Sequence, residues 1–176
     1  MRNNIMRHYN ETDRAVWEYL QSIGVKFESV YQGGRVDNDN GNKWEHDLFT
    51  VRFTRGKSVM ETDYRQGIGH RVTSPVTGLG REAEDVGASG PVFFGHGDRM
   101  TKIYVKKPSP AAVLYCLLSD AAAGSELFAD FCAELGYDED SRRALAIYEA
   151  CQKTAVQMRM FTGEEREKLN ELLEDY

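Results

Sequence analysis

The chain has 176 residues, 41% of them hydrophobic and 28% charged, which is a collapsing composition and long enough for one well-cored domain but not for two of ordinary size. Its three cysteines, Cys116, Cys132 and Cys151, are odd in number and lack C-x-x-C spacing, which excludes a disulfide framework and a zinc ribbon. No basic-then-apolar leader and no apolar run near the ~18 residues that span a bilayer is present, so the expectation is a cytoplasmic protein without membrane partners.

The net charge of −6 is unevenly spread. Residues 1–108 carry 14 acids against 16 bases, a balance of +2, whereas residues 109–176 carry 14 against 6, a balance of −8. Such asymmetry either solubilises a surface or presents a negative face to a basic partner.

In chain order, Val16, Trp17, Leu20 and Ile23 form one stripe, predicting a helix from Thr12 to Ile23 with Asn10 as cap and Gly24 as stop. Val25, Phe27, Ser29 and Tyr31 then alternate with Lys26, Glu28 and Val30 as a half-buried strand does. Arg35 to Asn42, with four Asn/Asp residues between Asp37 and Asn40, reads as an exposed loop. Two alternating runs meet at Arg55-Gly56; with those residues as the turn, Phe53 faces Ser58, Val51 faces Met60 and Phe49 faces Thr62.

Residues 67–100 read as a glycine-rich loop or insertion, since eight of the 16 glycines fall between Gly67 and Gly97. Ile103 and Val105 mark a further strand. Ser109 followed by Pro110 predicts a helix start. Ser125 is expected to open a helix with Leu127, Phe128, Phe131 and Leu135 as its stripe, closed by Gly136. Asp138 or Asp140 is expected to cap the next, whose Ala144, Tyr148, Cys151, Ala155 and Met158 share a face. Thr162 and Glu165 form a capping box for a last helix presenting Leu169, Leu172, Leu173 and Tyr176. Strands grouped before helices give an α+β fold: an antiparallel sheet of three to four strands, an N-terminal helix and a C-terminal cluster of about four helices, in a single domain.

Val113, Leu114, Cys116 and Leu117, then Phe128, Phe131, Cys132, Glu134, Gly136, Tyr137, Asp138, Asp140, Ser141, Arg142, Ala144 and Tyr148, together with the preceding hairpin, resemble a family of small bacteriophage and prophage accessory proteins. The resemblance covers roughly residues 45–66 and 108–160, and the chain departs from it in its N-terminal helix and strand and in its glycine-rich segment. It implies inhibition of host defence, anti-CRISPR-like, by occupying a defence protein or ribonucleoprotein complex, without catalytic, cofactor or metal residues. Under this reading the partner-binding residues are the acids Glu164, Glu165, Glu167, Glu171, Glu174 and Asp175, or the hairpin bases Arg52, Arg55 and Lys57.

Other chemistry is weaker. G-L-G-R-E-A at 78–83 has a dinucleotide-turn spacing, but Pro75 stands before it where a strand is needed and Gly87 interrupts the helix needed after it. His46 with Asp47, His70, and His96 with Asp98 lack metal-ligand spacing, leaving a ligand or enzyme site in the glycine-rich segment as the alternative. Ser89 does not sit in G-x-S-x-G. Arg52, Arg55, Lys57, Lys102, Lys106 and Lys107 could line a sheet edge, where charge also guards against strand pairing; direct nucleic-acid binding is not expected at this pI. Trp44, Phe93 and Phe94 could form either a dimer surface or core.

Overall fold

The computed structural model describes residues 2–39, 42–67, 71–73, 88–96 and 99–176, and the side chains of 11–34, 46–66 and 107–176. It has the α+β architecture expected: an N-terminal helix, a three-stranded antiparallel sheet and four C-terminal helices. Helix α1 is Arg2–Ser22; the strands are β1 Lys26–Asp39, β2 Asn42–Arg55, β3 Ser58–Gly67, β4 Arg71–Thr73, β5 Ala88–His96 and β6 Arg99–Lys106. The remaining helices are α2 Pro110–Ala123, α3 Phe128–Leu135, α4 Arg142–Gln157 and α5 Gly163–Leu173, with a 3-10 turn at Met158–Met160.

Two compact units share the chain. The first joins residues Met1–Phe27, Phe53–Met60 and Ser109–Tyr176; the second holds Glu28–Arg52 and Glu61–Pro108.

In the first unit, α2 packs against α1, α4 and α5. Being enclosed on several sides explains why its sequence is apolar nearly all round, with Ala111, Val113, Leu114, Leu117 and Ala121 buried. Val16 and Leu20 of α1 are buried, whereas Trp17, assigned to the same stripe from sequence, is 44% exposed. The helix also begins at Arg2, well ahead of Thr12, so Asn10 lies inside it rather than capping it. Phe53 sits among Phe27 at 4.9 Å and Phe161 at 6.3 Å between ring centroids, an arrangement of tilted and edge-on rings.

Helix ends follow local chemistry. Ser109 Oγ accepts from the Ala112 amide, with Pro110 at the first turn. Thr162 and Glu165 complete the reciprocal capping box, and Gly136 closes α3 in the left-handed region at φ 71°. Two expected caps move. Ser141, not Asp138 or Asp140, caps α4 through the Ala144 amide at 3.2 Å. Gly124 closes α2, with Ser125 just beyond it donating its hydroxyl to the Ala121 carbonyl at 2.8 Å, and α3 starts only at Phe128. On α3 the buried residues are Phe131 and Cys132, which join Ala144, Tyr148 and Cys151; Leu127 and Leu135 face outward, at 73% and 54% exposure. The stripe on α4 is as expected at Ala144, Tyr148, Cys151 and Met158.

The hairpin turn is Gly56-Lys57, one position later than read from sequence, because Gly56 supplies the positive φ of 58°. Arg55 therefore opposes Ser58, and the cross-strand contacts Arg52–Glu61 and Thr50–Asp63 share that register. Phe53 faces Met60 instead of Ser58. A shift that moves each partner by two residues leaves the faces intact, and Phe49, Val51, Phe53 and Met60 are all buried. The expected loop over 35–42 is also corrected: β1 runs to Asp39 and β2 starts at Asn42.

The second unit contains a further antiparallel sheet in the order β4-β6-β5, with Val92 opposite Ile103 and His96 opposite Arg99. Within the glycine-rich segment, residues 71–73 and 88–96 are thus strand. Residues 78–83, His70 and Asp98 lie outside the described residues, as do the side chains of Trp44, Ser89, Phe93, Phe94, His96, Lys102 and Lys106.

Candidate partner-binding surface

The acids proposed from sequence lie on α5 and just after it. Glu164, Glu167, Glu174 and Asp175 are exposed. Glu171 is exposed and accepts from Lys168 Nζ at 2.8 Å, one turn away. Glu165 differs in kind. Its side chain is 13% exposed and accepts both Arg55 Nη1 and Nη2 at 2.8 Å, while one of the same oxygens accepts the Thr162 amide at 2.9 Å. Those bonds, the Arg55 one foremost, hold its carboxyl below the ordinary glutamate range. Glu165 and Arg55 are therefore brought together as a structural pair.

The hairpin bases divide similarly. Arg52 is bound to Glu61 across the strands through Nε at 2.9 Å and through Nη2, on the exposed face of the sheet. Lys57, at the turn, is exposed.

A second acidic row was not singled out from sequence. Glu126 just ahead of α3, and Asp130 and Glu134 upon it, recur every four residues; Asp130 and Glu134 are exposed and Glu126 is partly buried. The Glu134 charge foremost, with burial, a hydrogen bond to Glu134 and the Asp130 charge, raises the Glu126 carboxyl above its ordinary value. Asp138, Glu139 and Asp140 come next in the turn, all exposed. The i, i+4, i+8 spacing of 126, 130 and 134 was legible, but the apolar residues between them mark the segment first as a packing helix.

The second unit buries polar groups on its own sheet. Asp47 is fully buried on the inner face that continues Phe49 and Val51, and Tyr31 Oη donates to its Oδ1 at 3.2 Å. His46 and Gln66 are buried too. The sequence marked His46 and Asp47 only as neighbours; alternation along β2 turns them to opposite faces. Among the described residues no group of three His, Cys, Asp or Glu side chains is placed to hold a metal ion, and no helix is long and apolar enough to cross a membrane.

Cys132 and Cys151 are buried and Cys116 is exposed, and all three thiols are pushed above the ordinary cysteine value. Burial foremost, with Asp120 as a nearby negative charge, raises Cys116 and Cys151, and burial with Glu139 and Asp138 raises Cys132. Comparison with protein-family models, curated proteins and solved structures finds no match for this chain.

Proposed function

We propose that this chain is a non-enzymatic, phage-type inhibitor that binds a host defence protein or ribonucleoprotein complex through the acidic surface of its helices, competing with nucleic acid for a basic groove. The observation that supports this reading is the group of exposed acids Asp130 and Glu134 on α3 and Asp138, Glu139 and Asp140 in the following turn, where Glu134 foremost crowds Glu126 closely enough to raise its carboxyl. Crowding of this sort opposes folding, and a partner that supplies positive charge relieves it. The acids Glu164 and Glu167 on α5 and Glu174 and Asp175 just after it extend the same sign of charge. The hairpin bases Arg52 and Arg55 are committed to Glu61 and Glu165, which directs the proposal to the acids.

Affinity purification of the tagged chain from a bacterial host with active defence systems tests it. Recovery of a defence effector, and its loss on Asp130→Lys with Glu134→Lys or on Glu164→Lys with Glu167→Lys, is expected. Folded protein that recovers no effector, or recovers it equally well after both charge reversals, removes the reading.

A further inference from the structure

Helices α2 and α5 leave an open groove between them, with a volume of about 370 Å³, lined by Tyr115, Leu118, Ser119, Ala122, Asn170, Leu173 and Glu174. The wall from α2 uses positions i, i+3, i+4 and i+7, one face over two helical turns, or about 10 Å. The two helices run antiparallel here: Tyr115, early in α2, meets Tyr176 beyond the end of α5 at 5.8 Å between ring centroids, and the Ser109 and Tyr176 hydroxyls are 3.3 Å apart.

The lining is mixed, with Leu118, Ala122 and Leu173 apolar and Ser119 and Asn170 polar, and among the described residues Glu174 is its one charged side chain. Tyr115 is half exposed, 51%, and Ala122 is exposed, so the groove carries surface that α1, α4 and α5 do not cover. Its volume is at the low end for a small-molecule site, and such a site encloses most of its ligand, which an open trough between two helices does not. An open trough whose α2 wall is two turns long, with Leu118, Ala122 and Leu173 as its apolar part, a tyrosine at one end and a carboxylate in its lining, suits an amphipathic helix laid between two others.

We infer that this groove receives an amphipathic helix of the protein partner, one that inserts apolar side chains over Leu118 and Ala122 and sets a lysine or arginine against Glu174. The inference rests on the inhibitor reading for the partner's identity and adds where, and by what chemistry, the partner is gripped. Charge complementarity selects the basic helix: Glu174 lines the groove, Asp175 is exposed beside it on the chain, and no base lines the groove among the described residues. The acids at α3 and this groove share no residue, so each is tested by its own substitutions.

The probe is a labelled synthetic 18-residue helix with leucines at i, i+3, i+4 and i+7 flanked by lysines, compared by fluorescence anisotropy with the same peptide carrying glutamates for lysines and with a scrambled version. The basic amphipathic peptide is expected to bind, and both controls at least about ten-fold more weakly. Ala122→Arg, which fills an exposed position, and Glu174→Lys, which reverses the rim, are each expected to weaken binding by about ten-fold or more with unchanged circular dichroism. Equal binding of the three peptides, or binding untouched by both variants, overturns the inference. So does a concentration-dependent dimer that Ala122→Arg dissolves, which assigns the groove to a second copy. A defence effector recovered equally by both groove variants refutes the groove as the grip while leaving the inhibitor reading in place; peptide binding without any effector does the reverse.

Discussion

Arg55 and Glu165, 110 positions apart in the chain, meet through two parallel hydrogen bonds of 2.8 Å, and the same glutamate caps α5. One carboxylate thus fastens the hairpin tip to a helix start within the first unit. Arg55 Nη1 also reaches the Met160 carbonyl at 3.5 Å, over the turn that leads into the cap.

Glu165→Gln is expected to lower the urea midpoint at pH 7, and Arg55→Ala likewise, with the double variant less affected than the sum of the two because they remove one interaction. The pH dependence has a definite sign. The folded carboxyl titrates below its unfolded value, so its stabilisation is complete above the ordinary glutamate pKa and is lost as pH falls through the lowered folded value. Unfolding curves between pH 7 and pH 3 should show the wild type losing more stability on acidification than Glu165→Gln. An identical pH slope in the two proteins contradicts the pairing.

Glu126 should behave in the opposite way. Its folded pKa is raised, so the charged form is penalised in the native state, and stability improves as pH falls through that raised value. Glu134→Gln removes the leading cause. The expected result is a higher midpoint at pH 7 for Glu134→Gln and a smaller gain on mild acidification, read by chemical unfolding at pH 7 and pH 5.

Among the described glycines of the helical unit, Gly124 lies tightest against its neighbours. A β-carbon there would stand 2.3 Å from the carbonyl carbon and oxygen of Cys151, backbone atoms that cannot rotate aside. Gly124→Ala is therefore expected to destabilise by about 1–3 kcal/mol through overpacking of α2 against α4, seen as a lower midpoint at unchanged m-value.

Caps offer a sharper comparison. Ser141→Ala should cost about 1 kcal/mol, since the hydroxyl satisfies the Ala144 amide. Asp138→Ala and Asp140→Ala should each lie within about 0.5 kcal/mol of wild type, as exposed positions without that bond. A larger loss at Asp140 than at Ser141 would show that the cap is wrongly assigned.

Those caps show what a sequence exposes. Thr162 with Glu165, Ser109 with Pro110, and Gly136 could be read directly because each acts on amides or carbonyls within a few residues of itself. In the string Asp138-Glu139-Asp140-Ser141, several residues have the right chemistry, and only the path of the backbone selects Ser141. The hairpin faces were legible from alternation, while the turn itself moved by one residue because any dipeptide containing Gly56 satisfies the same pattern. Strands β1 and β2 run through polar residues near Asp39 and Asn42 because pairing across the sheet, a non-local influence, outweighs local turn chemistry there. Of the candidate surface, the α5 acids were visible as composition. The commitment of Glu165 to Arg55, and the crowding around Glu126, depend on distances that no spacing rule contains.

The division of the chain also bears on how it can be cut. The helical unit draws its interior from three stretches, and Val16, Leu20, Phe53 and Met60 belong to the two that precede Ser109. Residues 109–176, although contiguous and rich in helix, are then an incomplete fold: expressed alone they leave Phe161 without Phe53, and α2 and α5 without the α1 helix that packs on them. Chain length between those stretches matters far less, because closing a longer excursion costs only about 0.6 kcal/mol per doubling. The excursion through residues 61–108 is accordingly a place where insertions and deletions are compatible with the helical unit, whereas removing the hairpin tip is not.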